Sequence, residues 1–357
     1  MKKLRTGIIG CGKVADFHAK ALASLEESEF AAVCGHTMEK TVRYAEKYGV
    51  KPYTSISQMI KENQLDAVAI CTPHTIHAEN VEEAAACGCS VIVEKPLASS
   101  YSDCLRIVEA GRKNGVTVGQ IVQRRFYRPC MRVKEAIDAG KLGTPILGMV
   151  NVLSWRDENY YQSDPWRGTW QGEGGGVMAT QATHQIDLLL WYMGKAKRVY
   201  GIAKNFNHPY IEVEDTAVAV VEFENGGLGN LVMTNSTNPA LYGKVHVVGT
   251  NGATVGVQTD GGAMFIAGMS EIAEPPYNDI WTIAGESDEL PKMQEEDRAF
   301  FNHTDPMYYY HRLQIKDFLD ALLEGRRPLV DAEEGMRTVQ LFNAVYEATK
   351  TGKVIEL

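Results

Sequence analysis

Three stretches of this 357-residue sequence carry side chains whose types and spacing suit chemistry. The first is Gly10-Cys11-Gly12-Lys13-Val14-Ala15, which directly follows an apolar run at 4–9. Between a strand and a helix, the first glycine permits a tight turn and the second lets backbone approach a diphosphate. A small residue at the third position, here Ala15, lets the helix pack closely. The helix N-terminus then offers N–H groups and the positive end of its dipole to an anion. This pattern reads as a dinucleotide cradle formed by Gly10, Gly12, Lys13, Val14 and Ala15. At the end of the second strand, where an acid usually binds the ribose hydroxyls of NAD, the sequence is Val33-Cys34-Gly35-His36-Thr37. Nothing there repels a ribose phosphate, and His36 or Lys40 could attract one, so the cofactor is read as NAD or NADP.

The second stretch, Glu94-Lys95-Pro96, follows a strand-like run at 90–93. Strand carboxyl ends line the ligand crevice of a parallel sheet. A lysine there can hydrogen-bond a substrate hydroxyl and stabilise its developing alkoxide, and Pro96 fixes the chain direction after it. In the third stretch, Gly174-Gly175-Gly176 opens an apolar helix carrying Thr180, His184 and Asp187. Spacings of four and seven put all three on one helix face. The glycines would let that helix start press against something flat, such as a nicotinamide and its substrate. His184 suits a general base, because imidazole titrates near neutral pH, and Asp187 would orient the helix or tie it to a neighbour. Trp155, Tyr160, Tyr161, Trp166, Arg167 and Trp170 gather just before the glycines. Their rings and guanidinium suit the apolar faces and hydroxyl edges of a sugar. His74 and His77 lack a third ligand at suitable spacing, so no metal is expected.

The elements that must position these groups fall into two textures. Strand signals at 4–9, 30–34, 67–71, 90–93 and 117–122 alternate with helical segments, which requires crossover connections and hence a parallel sheet with helices on both faces. Beyond residue 123 the strands at 146–155, 198–205, 216–223, 227–234, 244–249 and 254–258 include hairpin turns such as Asn225-Gly226-Gly227. One helix at 176–192 interrupts them and two more close the chain, at 311–323 and 333–349. The expectation is a doubly wound Rossmann domain over 1–122 and an α+β domain with an open, mainly antiparallel sheet over 123–357, whose last helix could pack back on the first domain. Residues 275–291, rich in acid and proline, read as a surface loop.

Composition narrows the function classes. A net charge of −9, with 36 basic residues against 45 acidic ones, argues against a nucleic-acid partner. No apolar run is long enough to span a bilayer. The first strand leads so directly into its glycine loop that no signal peptide is expected. Seven scattered cysteines read as reduced thiols of a cytoplasmic protein.

Taken together, these marks resemble the glucose–fructose oxidoreductase / inositol dehydrogenase / rhizopine catabolism (Gfo/Idh/MocA) family. The resemblance runs over essentially the whole chain. It rests on the glycine motif, Thr72-Pro73 with His77, Glu94-Lys95-Pro96, Gln123-Arg124-Arg125-Phe126, Trp166-Arg167, the triple glycine with His184 and Asp187, Glu214-Asp215-Thr216 and the closing segment 335–357. It implies a nicotinamide cofactor bound also by Thr72, Pro73, His77, Glu94 (near the ribose), Lys95 and Gln123, and a carbohydrate substrate. It further implies Lys95 and His184 as catalytic residues and Gln123, Arg125, Tyr160, Trp166, Arg167 and Thr180 as substrate ligands. Contacts between subunits across an exposed sheet face are implied as well. Many members carry Asp four residues before the histidine, where this chain has Thr180 followed by Gln181. That difference weighs against a myo-inositol dehydrogenase and favours oxidation at C3 of a glycoside or sugar nucleotide. The family also contains glycosidases that oxidise C3 transiently and non-catalytic regulators; retention of both Lys95 and His184 argues against the latter.

Overall fold

The computed structural model describes residues 3–261 and 275–357. Its first sheet contains β1 (Leu4–Ile9), β2 (Ser28–Cys34), β3 (Lys51–Tyr53), β4 (Ala67–Ile70), β5 (Ser90–Val93) and β6 (Val118–Gln120), in the order β3-β2-β1-β4-β5-β6. Every neighbouring pair is parallel. Helices cover both faces of such a sheet, so its central strands are apolar throughout rather than alternating; all four residues of β4 are buried. Strand order reverses direction between β1 and β4, and a ligand crevice opens beyond the carboxyl ends at such a point. The glycine motif follows β1, Thr72-Pro73 follows β4 by two residues, and Glu94-Lys95-Pro96 follows β5. The expected doubly wound Rossmann fold is therefore present.

Two compact units make up the chain: Met1–Gln123 with Asp305–Val339, and Arg124–Thr304 with Gln340–Leu357. The segment expected to form a second domain, 123–357, is thus divided. Its helix Pro306–Glu324 buries Ile315, Phe318 and Leu319 in one cluster with Ile8, Leu22 and Val33 of the first unit. Burying three such side chains contributes several kcal/mol, about 1.5–3 each, and that outweighs their remoteness in sequence. The elements β3 and the helix Ile56–Asn63 were not expected; β3 is too short to show a period.

In the second unit, among the described residues, β7 (Pro145–Leu153), β8 (Ala196–Lys204), β9 (Thr216–Phe223), β10 (Leu228–Thr234), β11 (Tyr242–Gly249), β12 (Thr254–Gly261), β13 (Tyr277–Trp281) and β14 (Ile355–Glu356) pair in the order β13-β12-β11-β7-β10-β9-β8-β14. Only β7 and β10 run parallel; the other pairs are antiparallel. Alternation sets the two faces: Ala217, Ala219, Val221 and Phe223 of β9 are buried, whereas Val218 and Val220 are exposed. The helix Thr183–Met193 packs on β7 and β11.

Two expectations need correction. Residues 275–291 are not simply loop, because they contain the edge strand β13 and the start of the helix Glu289–Phe301. The helix expected at 176–192 is broken: a short turn, Val177–Thr180, ends before Thr183–Met193 begins. Thr180 and His184 therefore do not share one continuous helix face. Among the described residues, no helix is long and apolar enough to cross a membrane, and all seven cysteines are free of disulfides.

Candidate active site

In the first unit the glycine motif has the shape of a cradle. Gly10 adopts φ +102°, and a Cβ there would lie 2.8 Å from the backbone of Cys71, so only glycine lets the ends of β1 and β4 close together. Around Gly12 the space is open, with no atom within 4 Å of where a Cβ would stand. Lys13 is exposed, Val14 half-buried and Ala15 fully buried against the sheet. No side chain caps the helix Ala15–Ser24 that follows; the Asp16 and Phe17 N–H groups turn back to Lys13 O and Val14 O, so an anion would be met by the N–H groups of the glycine motif ahead of them. Gln123 adds a buried side-chain oxygen, Oε1, with no hydrogen-bond partner among the described residues. An open glycine, an uncapped helix start and a spare acceptor fit a dinucleotide.

The end of β2 has a tighter constraint. Gly35 occupies the position where an acid would select ribose hydroxyls, and a Cβ there would come within 2.2 Å of Thr41 Oγ1. That hydroxyl is held by donation to Thr37 O at 2.8 Å. His36 and Lys40 are both exposed beyond it.

Glu94 and His77 organise the loops on either side of Lys95. Glu94 is 8% exposed. Its Oε1 accepts from His18 Nε2 at 2.7 Å and its Oε2 from the Lys95 backbone N–H at 3.1 Å. His311 Nε2 stands 3.5 Å from the same Oε1. Burial opposes its charge, yet the two imidazoles hold the Glu94 carboxyl well below the usual carboxylate range. Burial pulls His18 down, so a neutral imidazole donating from Nε2 to a carboxylate accounts for both groups. Both Glu94 oxygens are engaged by the protein, which gives this carboxylate a part in holding the loop, beside the ribose role that the resemblance implies. His77 is likewise fully buried, with Nε2 3.0 Å from Thr72 O and Nδ1 3.1 Å from Leu97 O. It ties the Thr72-Pro73 turn to the loop after Lys95 rather than reaching a ligand, and Thr72 Oγ1 accepts from Asn80 at 2.9 Å. Lys95 itself is half-buried. His18 and His311 went unnoticed in the sequence; with Glu94 they form a cluster whose ligand atoms lie within 4.8 Å of one another.

In the second unit the triple glycine packs against the chain itself. A Cβ on Gly176 would lie 1.8 Å from Glu214 O, and one on Gly175 would lie 2.3 Å from Tyr346 Oη. Glu214 Oε2 accepts from Gly176 N at 2.8 Å, while Oε1 accepts from Met178 N at 3.1 Å and Tyr346 Oη at 2.9 Å. Burial nevertheless pushes the Glu214 carboxyl up to about 7. This carboxyl shapes the turn before His184. The sequence carried a signal for it, a glutamate beside Asp215-Thr216, but no periodicity that linked it to the glycines.

Around that turn the structure brings together most of the expected substrate-side residues. The Tyr160 hydroxyl accepts from Arg167 Nη1 at 2.6 Å and from Gln181 Nε2 at 3.2 Å. The Arg167 guanidinium lies 4.4 Å over the Tyr160 ring and 4.5 Å over the Trp166 ring. Thr180 Oγ1 donates to Gly176 O at 2.7 Å and contacts Gln181 Oε1, which also accepts from Asn235 at 3.0 Å. His184 is 4% exposed on the first turn of its helix. Arg125 is not among this group: it is 2% exposed and locked on Asp187 by two contacts of 2.8 Å, over the Trp191 ring. A guanidinium so engaged anchors the helix Thr183–Met193 through Asp187.

A parallel sheet with a glycine cradle at its switch point and a lysine turn at the end of β5 defines a dinucleotide-dependent oxidoreductase. The comparisons agree. Residues 4–121 match the oxidoreductase family with an NAD-binding Rossmann fold, and 130–255 match the GFO/IDH/MocA C-terminal domain; the chain belongs to the Gfo/Idh/MocA family. It is 29% identical over 257 residues to myo-inositol 2-dehydrogenase of Thermotoga maritima, covering 70% of this chain and 74% of that protein. It is 25% identical to D-glucoside 3-dehydrogenase of Escherichia coli, over 99% of this chain and 97% of that one. The WlbA dehydrogenase from Bordetella pertussis, solved with NADH and UDP-GlcNAcA, superposes with a TM-score of 0.85 at 28% identity, over 100% of this chain and 98% of that one. The protein is an oxidoreductase that uses a nicotinamide dinucleotide.

Two outcomes follow from this geometry. Gly35→Asp, the simplest change toward selective ribose binding, should weaken NADH binding and lower the melting temperature, because its Cβ collides with Thr41. Adding Thr41→Ala should recover part of both losses; a thermal melt and a NADH titration decide. For Glu214, the native state keeps its proton up to about 7, whereas the unfolded chain releases it near ~4.3. Stability from this group therefore falls as pH rises between those values and levels off above the upper one. The stability difference between the protein and Glu214→Gln should shrink across that window by about 1 kcal/mol per pH unit; urea midpoints measured at several pH values check it.

Proposed function

We propose that the enzyme oxidises a secondary ring hydroxyl of a sugar or sugar-like polyol, with C3 of a pyranoside or sugar nucleotide as the reacting carbon. The observation that carries this reading is the cluster of largely uncharged hydrogen-bonding groups before His184: Tyr160, Thr180, Gln181 and Asn235, flanked by Trp166 and Arg167. Rings and amides of this kind suit a polyhydroxylated ring. Thr180 in place of a carboxylate keeps the turn neutral, and the likeness to a D-glucoside 3-dehydrogenase supports the position on the ring.

When bound, the nicotinamide supplies the hydride acceptor. Lys95 donates a hydrogen bond to the reacting oxygen and offsets the negative charge that grows there. His184 accepts the hydroxyl proton. Gln123, Thr180, Trp166 and Arg167 orient the remaining hydroxyls. With methyl glucoside, reduced nicotinamide should accumulate in step with a keto sugar; sugar release without it would belong to a redox-neutral glycosidase instead. Lys95→Met should lower kcat, measured at saturating cofactor, by at least ~100-fold, the scale of one lost oxyanion donor. Unaltered turnover would remove Lys95 from the reaction.

The reading extends to a homo-oligomer. Ile202 on β8 and Val218 and Val220 on β9 are 47%, 50% and 58% exposed on one sheet, and apolar patches of this kind mark contact surfaces. Sedimentation should return a mass above that of one chain, and Val220→Lys should shift it toward the monomer.

A further inference from the structure

The second unit buries three arginines below 9% exposure, Arg125, Arg132 and Arg156. Two of them are neutralised by aspartates: Arg125 by Asp187 and Arg132 by Asp297, the latter at 2.6 Å. The nearby Arg124 is likewise bidentate on Asp260. Arg156, 5% exposed, is different. Its Nη1 donates to Trp155 O at 2.7 Å, and its Nε is shut off from solvent with no acceptor. No carboxylate lies within ion-pair distance of it among the described residues. Its other neighbour is the Tyr160 phenol, whose ring centroid is 5.3 Å away. Asp260, which acts on it only through space, is already taken by Arg124 and by Gln185 at 2.9 Å.

The backbone around Arg156 is fixed. Its N–H donates to Asn235 O at 3.2 Å and its carbonyl accepts from His208 Nε2 at 2.8 Å. The side chain is thus held in place, desolvated and without a counter-charge among the described residues, and burial pulls its pKa down. A buried cation without a counter-charge costs several kcal/mol, and a guanidinium fork matches a carboxylate or phosphate through paired, charge-assisted hydrogen bonds. Its surroundings are those already assigned to substrate. Tyr160 beside it is bonded to Arg167 and to Gln181, three residues before His184. Arg167 differs in having acids of its own, Asp164 at 3.3 Å and Glu173 at 4.0 Å.

We propose that Arg156 is a specificity residue that binds an anionic substituent of the substrate, a carboxylate or a phosphate carried by the sugar. This rests on the reading of the enzyme as a sugar dehydrogenase and narrows its substrates to acidic sugars. The test is calorimetric titration of the NADH-loaded enzyme with methyl glucuronide, glucose 6-phosphate and methyl glucoside. At least one anion should bind ~10-fold or more tightly than the neutral glucoside, a difference of about 1.4 kcal/mol; which of the two does so tells carboxylate from phosphate. Arg156→Gln should erase most of that preference. Arg156→Lys, which keeps the charge but not the fork, should retain part of it. Equal binding of all three sugars, no binding of either anion, or an undiminished preference in Arg156→Gln overturns the proposal. Should the glutamine variant not fold, the ranking in the unaltered enzyme and in the lysine variant decides alone. An anion that binds tightly but is never oxidised with NAD or NADP refutes the dehydrogenase reading and leaves the anion site standing. Oxidation of the neutral glucoside without any anion preference does the reverse.

Discussion

The first unit depends on a carboxylate that water cannot reach. Glu94 sits at the end of β5, and ionised groups at such depth persist only when partners replace their hydration. His18 supplies one from the helix that starts the dinucleotide cradle. His311 supplies another from the helix Pro306–Glu324, and the Lys95 backbone closes the set. Three segments far apart in sequence are thereby referred to one point. His77 repeats the device on the other side of Lys95, holding two loops by their carbonyls. The lysine stands on a turn whose flanks are pinned from within, which gives a side chain on a loop a defined position.

In the second unit Glu214 plays a comparable part under opposite electrostatics. Its neighbours are N–H and O–H donors with no formal charge, so burial prevails and its carboxyl rises. With cationic or titratable partners, as around Glu94, the carboxyl falls. The glycines in front of His184 make sense in this light: their missing side chains admit the Glu214 backbone and the Tyr346 hydroxyl.

Much of this organisation was legible in the sequence because it is local. The β1–glycine–helix unit, the bounds of β5 and β9, and the lysine turn follow from apolar runs and turn residues that lie next to one another. What escaped notice is non-local. His18 reads as one polar position on an ordinary helix and His311 as another, and nothing in either neighbourhood reveals a shared carboxylate. Arg125 and Arg156 look alike as sequence symbols, yet one is closed on Asp187 and the other has no acid beside it among the described residues. The break at Gln181 and Ala182 was hidden because the apolar pattern continues across it. The assignment of 305–339 to the first unit needed the packing of Phe318 and Leu319 to be seen.

That last feature bears on how the protein is made. A ribosome delivers the six strands of the first sheet well before it delivers Ile315, Phe318 and Leu319, which share the buried cluster around Ile8 and Val33. At ~5–20 residues per second, the nascent sheet waits many seconds with that part of its apolar surface uncovered. The first 123 residues therefore lack part of their own core until the distant helix emerges.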